Sequence, residues 1–207
     1  MDYSGSISEG NLALQSRGYA SAILSETFID AVRAGSRGRI ALTLLKWSDA
    51  RRSEQSVPWT LIDGMPAARR FTAALLNSPG PFPGYTSISD AIDASVRLLA
   101  ASGFDASRRI IDVSGDGINN DGRPVTEARD AAVAKGITIN GLPILGQEPD
   151  LEAYYTGNVI GGRAAFVQPV TSPEHFPPAV LRKLLTEIAA APPDSPRLDP
   201  RITLRGN

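Results

Sequence analysis

Asp2, Ser4 and Ser6 set a carboxylate and two hydroxyls on alternate positions at the start of the chain, with Gly5 between the hydroxyls. All three side chains offer oxygen, the donor that hard divalent cations such as Mg2+ select. Two later polar turns carry similar donors. One is Gly84-Tyr85-Thr86-Ser87, and the other is Ser114-Gly115-Asp116-Gly117-Ile118-Asn119-Asn120-Asp121. Taken alone, Ser4 and Ser6 read more readily as helix-capping residues than as ligands, because serine favours the N-cap. The metal reading gains its weight from Thr86 and Asp116.

The elements that must position these turns follow from periodicity. Leu12, Tyr19, Ile23 and Ile29 recur at roughly helical spacing, which predicts one long helix from Ser8 to about Ala34, stopped by Gly35. Ile40 to Trp47 is a nearly continuous apolar run and predicts a strand buried on both faces. Val57 to Ile62 predicts a shorter strand. Pro58 cannot donate to a ladder, so that strand belongs at a sheet edge. Pro66 to Leu76 reads as a helix, and the Pro- and Gly-rich run Ser78 to Gly84 as a loop.

Ser87 opens another helix, with Asp90 as a capping-box-like partner and Ile88, Ile92, Val96 and Leu99 on its apolar face. Arg109 to Val113 predicts a strand feeding the Ser114 turn. Val125 to Lys135 is helical and Gly136 ends it. Ile137 to Ile144 predicts a fourth strand. Leu151 to Tyr155 is a short helix, Ala164 to Val167 a short strand, and Glu174 to Ala190 a final helix. Residues 191–207 form a Pro-rich tail with little apolar content, expected to be loose.

Strands alternate with helices, so the predicted fold class is α/β, a doubly wound, mostly parallel sheet flanked by helices. Such sheets bind ligands at the carboxyl ends of their strands. That rule brings the three polar turns to one edge. The Asp2 turn lacks the buried strand that normally feeds such a turn. The expectation is an upstream strand rich in Val, Leu and Ala, ending at Asp2 and central in the sheet. If no such strand exists, the reading of the Asp2 turn fails.

Composition narrows the function. The chain has 207 residues, 42% hydrophobic and 21% charged, enough for one domain with a substantial core. Basic and acidic residues balance at 21 and 22, with no basic run, which points away from nucleic acid and anionic membrane surfaces. There is no cysteine, which excludes disulfides, thiolate metal sites and cysteine nucleophiles. No apolar run approaches the ~18 residues of a membrane-spanning helix, and the first residues are not a signal peptide.

The order Asp2-x-Ser4-x-Ser6, then Thr86 in Gly84-Tyr85-Thr86-Ser87-Ile88, then Ser114-Gly115-Asp116-Gly117 resembles the metal-ion-dependent adhesion site of von Willebrand factor A domains. Pro58 to Ile62, Ile110 to Gly117 and Gly136 to Ile144 are similar to a bacterial family of such domains of unknown function. The resemblance spans Asp2 to about Ala190 and so implies one domain over residues 1–190. It implies that Ser4 and Ser6 ligate the metal directly and that Thr86 does so in some states. It implies that Asp2 and Asp116 hold the metal through water. The implied cofactor is Mg2+ or Mn2+. The implied partner is a protein or peptide that supplies a carboxylate to an electron-poor cation. Relatives often look exported, which implies a periplasmic or secreted location given an upstream signal peptide, and a cytoplasmic one without it. Two features depart from the family pattern: the missing central strand, and Tyr85, where many relatives carry a small residue.

A second resemblance points to an enzyme. Asp2-x-x-Gly5-Ser6 with Gly115-Asp116-Gly117-Ile118-Asn119 is similar to the phosphoaspartate motifs of haloacid-dehalogenase-like phosphatases, with Asp2 as nucleophile and Asp116 as Mg2+ ligand. That chemistry needs a loop lysine between the motifs. Lys46, the lysine available there, sits inside the apolar strand run, so a binding module is the expectation. His175, the sole histidine, reads as a surface or capping residue. Asp112 reads as a buried acid, either supporting the site or paired with a strand neighbour such as Thr138. Asn119, Asn120 and Asp121 read as turn formers at the site rim. Tyr154, Tyr155, Trp47 and Trp59 read as packing residues.

Overall fold

The computed structural model describes residues 1–5, 7, 9–78 and 84–189. The expectations for Ser6, the Ser8 helix start, the inside of the 78–84 loop and the 191–207 tail lie outside the described residues.

The predicted long first helix is two helices, α1 (Glu9–Ile23) and α2 (Glu26–Ala34). Ser25 causes the break. Its backbone is extended (φ -72°, ψ 141°), and its hydroxyl accepts from Phe28 N at 3.2 Å while donating to Ala22 O at 2.8 Å. One side chain thus closes α1 and opens α2, a local competition with the helical ladder that periodicity does not reveal. Past the break, α2 buries Phe28, Ile29 and Val32.

β1 (Ile40–Trp47) pairs antiparallel with β2 (Ser53–Ile62), joined by the short turn at 48–52. β2 starts earlier than expected and carries Pro58 at an irregularity. The register runs Leu42↔Thr60 and then Leu44↔Val57, three steps on β2 against two on β1, and Pro58 has no register partner. The bulge accommodates the missing N–H. α3 (Met65–Leu76) and α4 (Ile88–Ala100) follow. Ser87 caps α4 by accepting from Asp90 N at 3.4 Å, as the sequence predicts.

β3 (Arg109–Gly115) and β4 (Ile137–Pro143) are parallel, in register from Arg109↔Ile137 to Gly115↔Pro143, with α5 (Val125–Val133) as their crossover. Every residue of β4 is buried. Among the described residues the strands form two pairs, one antiparallel and one parallel, so the predicted continuous parallel sheet is not seen there. The 48–52 turn is too short for a crossover, so β2 must return antiparallel.

Between the pairs lies the extended segment Met1–Tyr3. Tyr3 N donates to Trp47 O (2.8 Å), Trp47 N to Met1 O (3.3 Å), Met1 Nα to Leu45 O (2.9 Å) and Asp2 N to Ser114 O (3.0 Å). This short parallel rung is the described backbone connection between the two pairs.

The expected strand Ala164–Val167 is not one. Ala164 has φ +54°, outside strand geometry, and Val167 and Val170 make single bridges to Gly141 and Ile144. α6 (Leu151–Tyr154) runs into a π-turn at Tyr155–Val159. A 3-10 turn, Pro173–His175, leads into α7 (Phe176–Ala189). His175 is exposed, its Nδ1 within 3.2 Å of the Thr171 and Ser172 hydroxyls, a turn residue as expected. One core cluster joins α1, α2, α3 and α7, with Tyr19 and Phe176 packed edge to face at 5.9 Å. A second joins α4, α5, β3, β4 and the π-turn.

Candidate metal centre

Asp2 lies at the carboxyl ends of β1 and β3, its N donating to Ser114 O and its neighbours Met1 and Tyr3 bonded to Trp47, and the other two polar turns meet it there. Asp2 Oδ1 accepts from Ser4 N at 2.8 Å, a tight turn that aims the chain towards α1. Thr86 Oγ1 donates to Ser4 Oγ at 3.4 Å, joining residues from opposite ends of the first half of the chain. Gly5 N donates to Gly84 O at 3.1 Å, which ties the first turn to the second. Asp116 follows β3 directly. Asp2, Ser4, Thr86 and Asp116 are all buried. Tyr85 is 70% exposed at the rim.

Four of the five sequence candidates therefore gather on one edge, and Ser6 is the one outside the described residues. Among the described residues no group of three or more acidic or histidine side chains converges. The donors at this edge are two carboxylates and hydroxyls.

Burial governs the electrostatics. Asp2 Oδ2 is buried and accepts no hydrogen bond from the described residues. Loss of solvent pushes the Asp2 carboxyl up to about 6, and Asp116 adds to the rise, against lowering by Ser4. Tyr155 lies against it. A side-chain carbon at Gly115 would meet Asp2 Oδ2 at 2.8 Å and Tyr155 Oη at 3.0 Å, so glycine is what lets carboxylate and phenol share that space. Burial, reinforced by Asp2 and Asp116, raises the Tyr155 phenol far above its ordinary value and keeps it protonated. Tyr155 opens the π-turn, a local widening that recurs at functional sites.

A family model described as "Protein of unknown function (DUF1194)" matches residues 1–192. The chain belongs to the DUF1194 family. No curated protein sequence matches it. Its fold is that of von Willebrand factor A domains. It is similar to proximal thread matrix protein 1 from the mussel byssus, with 15% identity over 90% of this chain and 45% of that one and a TM-score of 0.67. It is similar to a von Willebrand factor type A protein from Catenulispora acidiphila, with 11% identity, 90% and 41% coverage and a TM-score of 0.67. It also resembles the byssus protein with a zinc-occupied MIDAS motif, with 16% identity, 91% and 46% coverage and a TM-score of 0.64. The DUF1194 chain spans less than half the length of these structures.

Sequence reasoning treats the Asn119 to Asp121 run as rim. In the DUF1194 fold these residues hold the second turn. Asn120 Oδ1 accepts from Thr86 N at 2.8 Å, and Asn120 N donates to Thr86 O at 2.9 Å. Asn119 Oδ1 accepts from Ser89 N at 2.9 Å, and Asp121 Oδ2 from Ala50 N at 2.7 Å. Tyr155 is also missed, since an aromatic forty residues downstream carries no local signal.

Asp112 takes another role than either expected. It ion-pairs with Lys183 of α7, a buried lysine whose Nζ also donates to Glu187 Oε1 at 2.6 Å. Thr138 instead donates to Arg163 O at 3.2 Å. The Lys46 ammonium lies 4.3 Å from the centre of the Tyr3 ring. Lys46 and Lys183 thus both have described roles other than charge neutralisation beside Asp2.

Proposed function

We propose that this edge binds one divalent cation and uses it to dock an acidic group of a partner. The carrying observation is the buried Asp2 carboxylate, one oxygen without a donor among the described residues, beside the Ser4–Thr86 hydroxyl pair. A buried carboxylate with incomplete hydrogen bonding is costly in the absence of a cation. Ser4 and Thr86, with Ser6, are the proposed direct ligands. Asp2 and Asp116 are the proposed water-mediated acids. The donor set suits Mg2+ or Mn2+, which favour oxygen and take few carboxylates.

When bound, the cation supplies an electron-poor position that attracts a partner's carboxylate. The chain's own residues do the rest. Asn120 fixes both backbone groups of Thr86. Gly115 leaves room for the Asp2 carboxylate, and the Tyr155 phenol stays neutral against it. Tyr85 stands at the entrance, where an incoming chain would meet an aromatic face. The mussel relative's zinc-occupied MIDAS motif and a manganese-loaded TRAP protein from Plasmodium vivax, of similar fold, support a divalent ion in this position.

Millimolar Mg2+ or Mn2+ raises Tm on this reading, because a ligand selective for the native state stabilises it by mass action. Asp116→Ala and Thr86→Ala remove the rise. An equal rise in both variants would show that the ion binds elsewhere. We read the site as one that binds without turnover. Hydrolysis of a phosphate ester that disappears in Asp2→Asn would promote the phosphatase reading instead.

A further inference from the structure

Two polar atoms buried at the metal edge, Asp2 Oδ2 and Tyr155 Oη, each lack a hydrogen-bond partner among the described residues. They lie 2.8 and 3.0 Å from the one point that a side-chain carbon on Gly115 would occupy. The first is an acceptor, and the second carries a hydroxyl hydrogen. A buried donor or acceptor left unpaired is costly, so a single bond between these two relieves both.

The surrounding chain is shaped to bring the phenol there. Gly141 of β4 stands beside the ring, where a side-chain carbon would meet Tyr155 Cδ1 at 2.7 Å. Gly115 of β3 stands beside the hydroxyl. The register partner of Gly141 is Val113, two positions before Gly115, so the two glycines share one face of the β3–β4 pair. Together they leave a slot for the fully buried ring. The helix is adapted as well. Tyr155 opens the π-turn, which departs from α-helical spacing. The residue before it, Tyr154, accepts at Oη from Asn119 N at 3.1 Å. Neighbours on a regular α-helix project about 100° apart, yet here both phenols reach turns of the metal edge. A phenylalanine ring would fill the slot equally well, so packing does not account for the hydroxyl.

We propose that Tyr155 is a positioning residue of the metal centre, whose hydroxyl donates to Asp2 Oδ2 and sets the orientation of that carboxylate. Ser4 N holds the other oxygen at 2.8 Å, so the phenol supplies the second point of attachment. Hydrogen bonds of this kind orient the acids of metal sites and tune their affinity. The phenol adds no charge and fills one of about four acceptor positions on a carboxylate, so the demand for a cation remains. The bond itself does not depend on the ion. Its consequence for affinity rests on the metal reading above.

The test uses the full chain with its tyrosines isotope-labelled at the ring carbon that bears the hydroxyl, read by NMR in chelator. The Tyr155 signal is identified by its loss in Tyr155→Phe. It should couple to a slowly exchanging hydroxyl hydrogen and should shift in Asp2→Ala. Should Asp2→Ala not fold, Asp2→Asn keeps the side chain's shape, and its weaker amide acceptor should still shift the signal. A signal that neither Asp2 variant moves, or that Asp116→Ala moves more, would overturn the inference. Calorimetry with Mn2+ gives the second readout. Tyr155→Phe should weaken binding by about 10-fold or more and leave the stoichiometry unchanged. Equal affinity in a folded Tyr155→Phe would overturn the positioning role. No Mn2+ binding by the parent would remove the metal reading instead, and the hydroxyl signal alone would then decide whether the bond forms.

Discussion

Asp2 is the residue on which the site's energetics turn. Its carboxyl rises from 3.8 to about 6, first through loss of solvent. The folded chain therefore holds a proton between about pH 4 and pH 6 that the unfolded chain has released. This group's stabilising contribution is fully present below the unfolded value and is lost as pH rises through about 6. A gap of about two units corresponds to about 3 kcal/mol. In chelator, Asp2→Asn should be more stable than the parent at pH 7.5 by about 1–3 kcal/mol and should lose most of that advantage at pH 4.5. Denaturant unfolding at the two pH values checks this, and a variant less stable than the parent at pH 7.5 would contradict it.

Gly115 offers a second test at this scale. Gly115→Ala places a carbon 2.8 Å from Asp2 Oδ2 and 3.0 Å from Tyr155 Oη, so Asp2 must move. The expected result is a loss of about 1–3 kcal/mol, the usual range for overpacking, together with loss of the ion-dependent Tm rise.

At the scale of elements, the three turns are held by backbone and side-chain bonds among themselves. Asn120→Ala removes the acceptor for Thr86 N while leaving the proposed donors intact. It should weaken ion binding by about 10–100-fold, the usual effect of losing a group that orients a ligand. Titration calorimetry against the parent reads this directly. Much of this level was legible in the sequence. The three turns carry their donors where strands end or helices begin, and Ser87 announces its cap by the Asp90 pairing. The role of Asn120 was not legible, because asparagine in a polar turn is explained equally well by the turn itself. Ser25 broke the first helix although the apolar spacing runs straight through it.

Lys183 belongs to the same scale. It is fully buried between Asp112 of β3 and Glu187 of α7, and Asn140 Nδ2 donates to Glu187 Oε1 at 2.7 Å. Lys183→Met leaves two acids together without their cation and should cost about 3–5 kcal/mol. Sequence reading missed the pair because Asp112 and Lys183 are far apart in the chain. An acid inside an apolar strand signals only that some partner is needed.

At the scale of the whole molecule, the alternation of helix and strand was legible and gave the α/β class. The sheet's continuity was not. Periodicity assigns strands without their neighbours, and the 48–52 turn makes β2 antiparallel to β1. The membership of one family over residues 1–192 and the von Willebrand A fold agree with the elements that were legible. Three turns drawn from separate parts of the chain reach one edge because that fold brings strand ends and helix starts together there.

Titration calorimetry of Mn2+ into the chain at pH 7.5 and pH 5.0, in buffers of different ionisation enthalpy, tests the metal centre most directly. Ligand carboxylates must lose their protons before a cation binds, so affinity and proton release are linked. The account predicts one ion per chain, tighter binding at pH 7.5, proton uptake by the buffer at pH 5.0, and no binding in Asp116→Ala. Absence of binding at millimolar Mn2+ in a chain that unfolds cooperatively, or unchanged binding in Asp116→Ala, would contradict it.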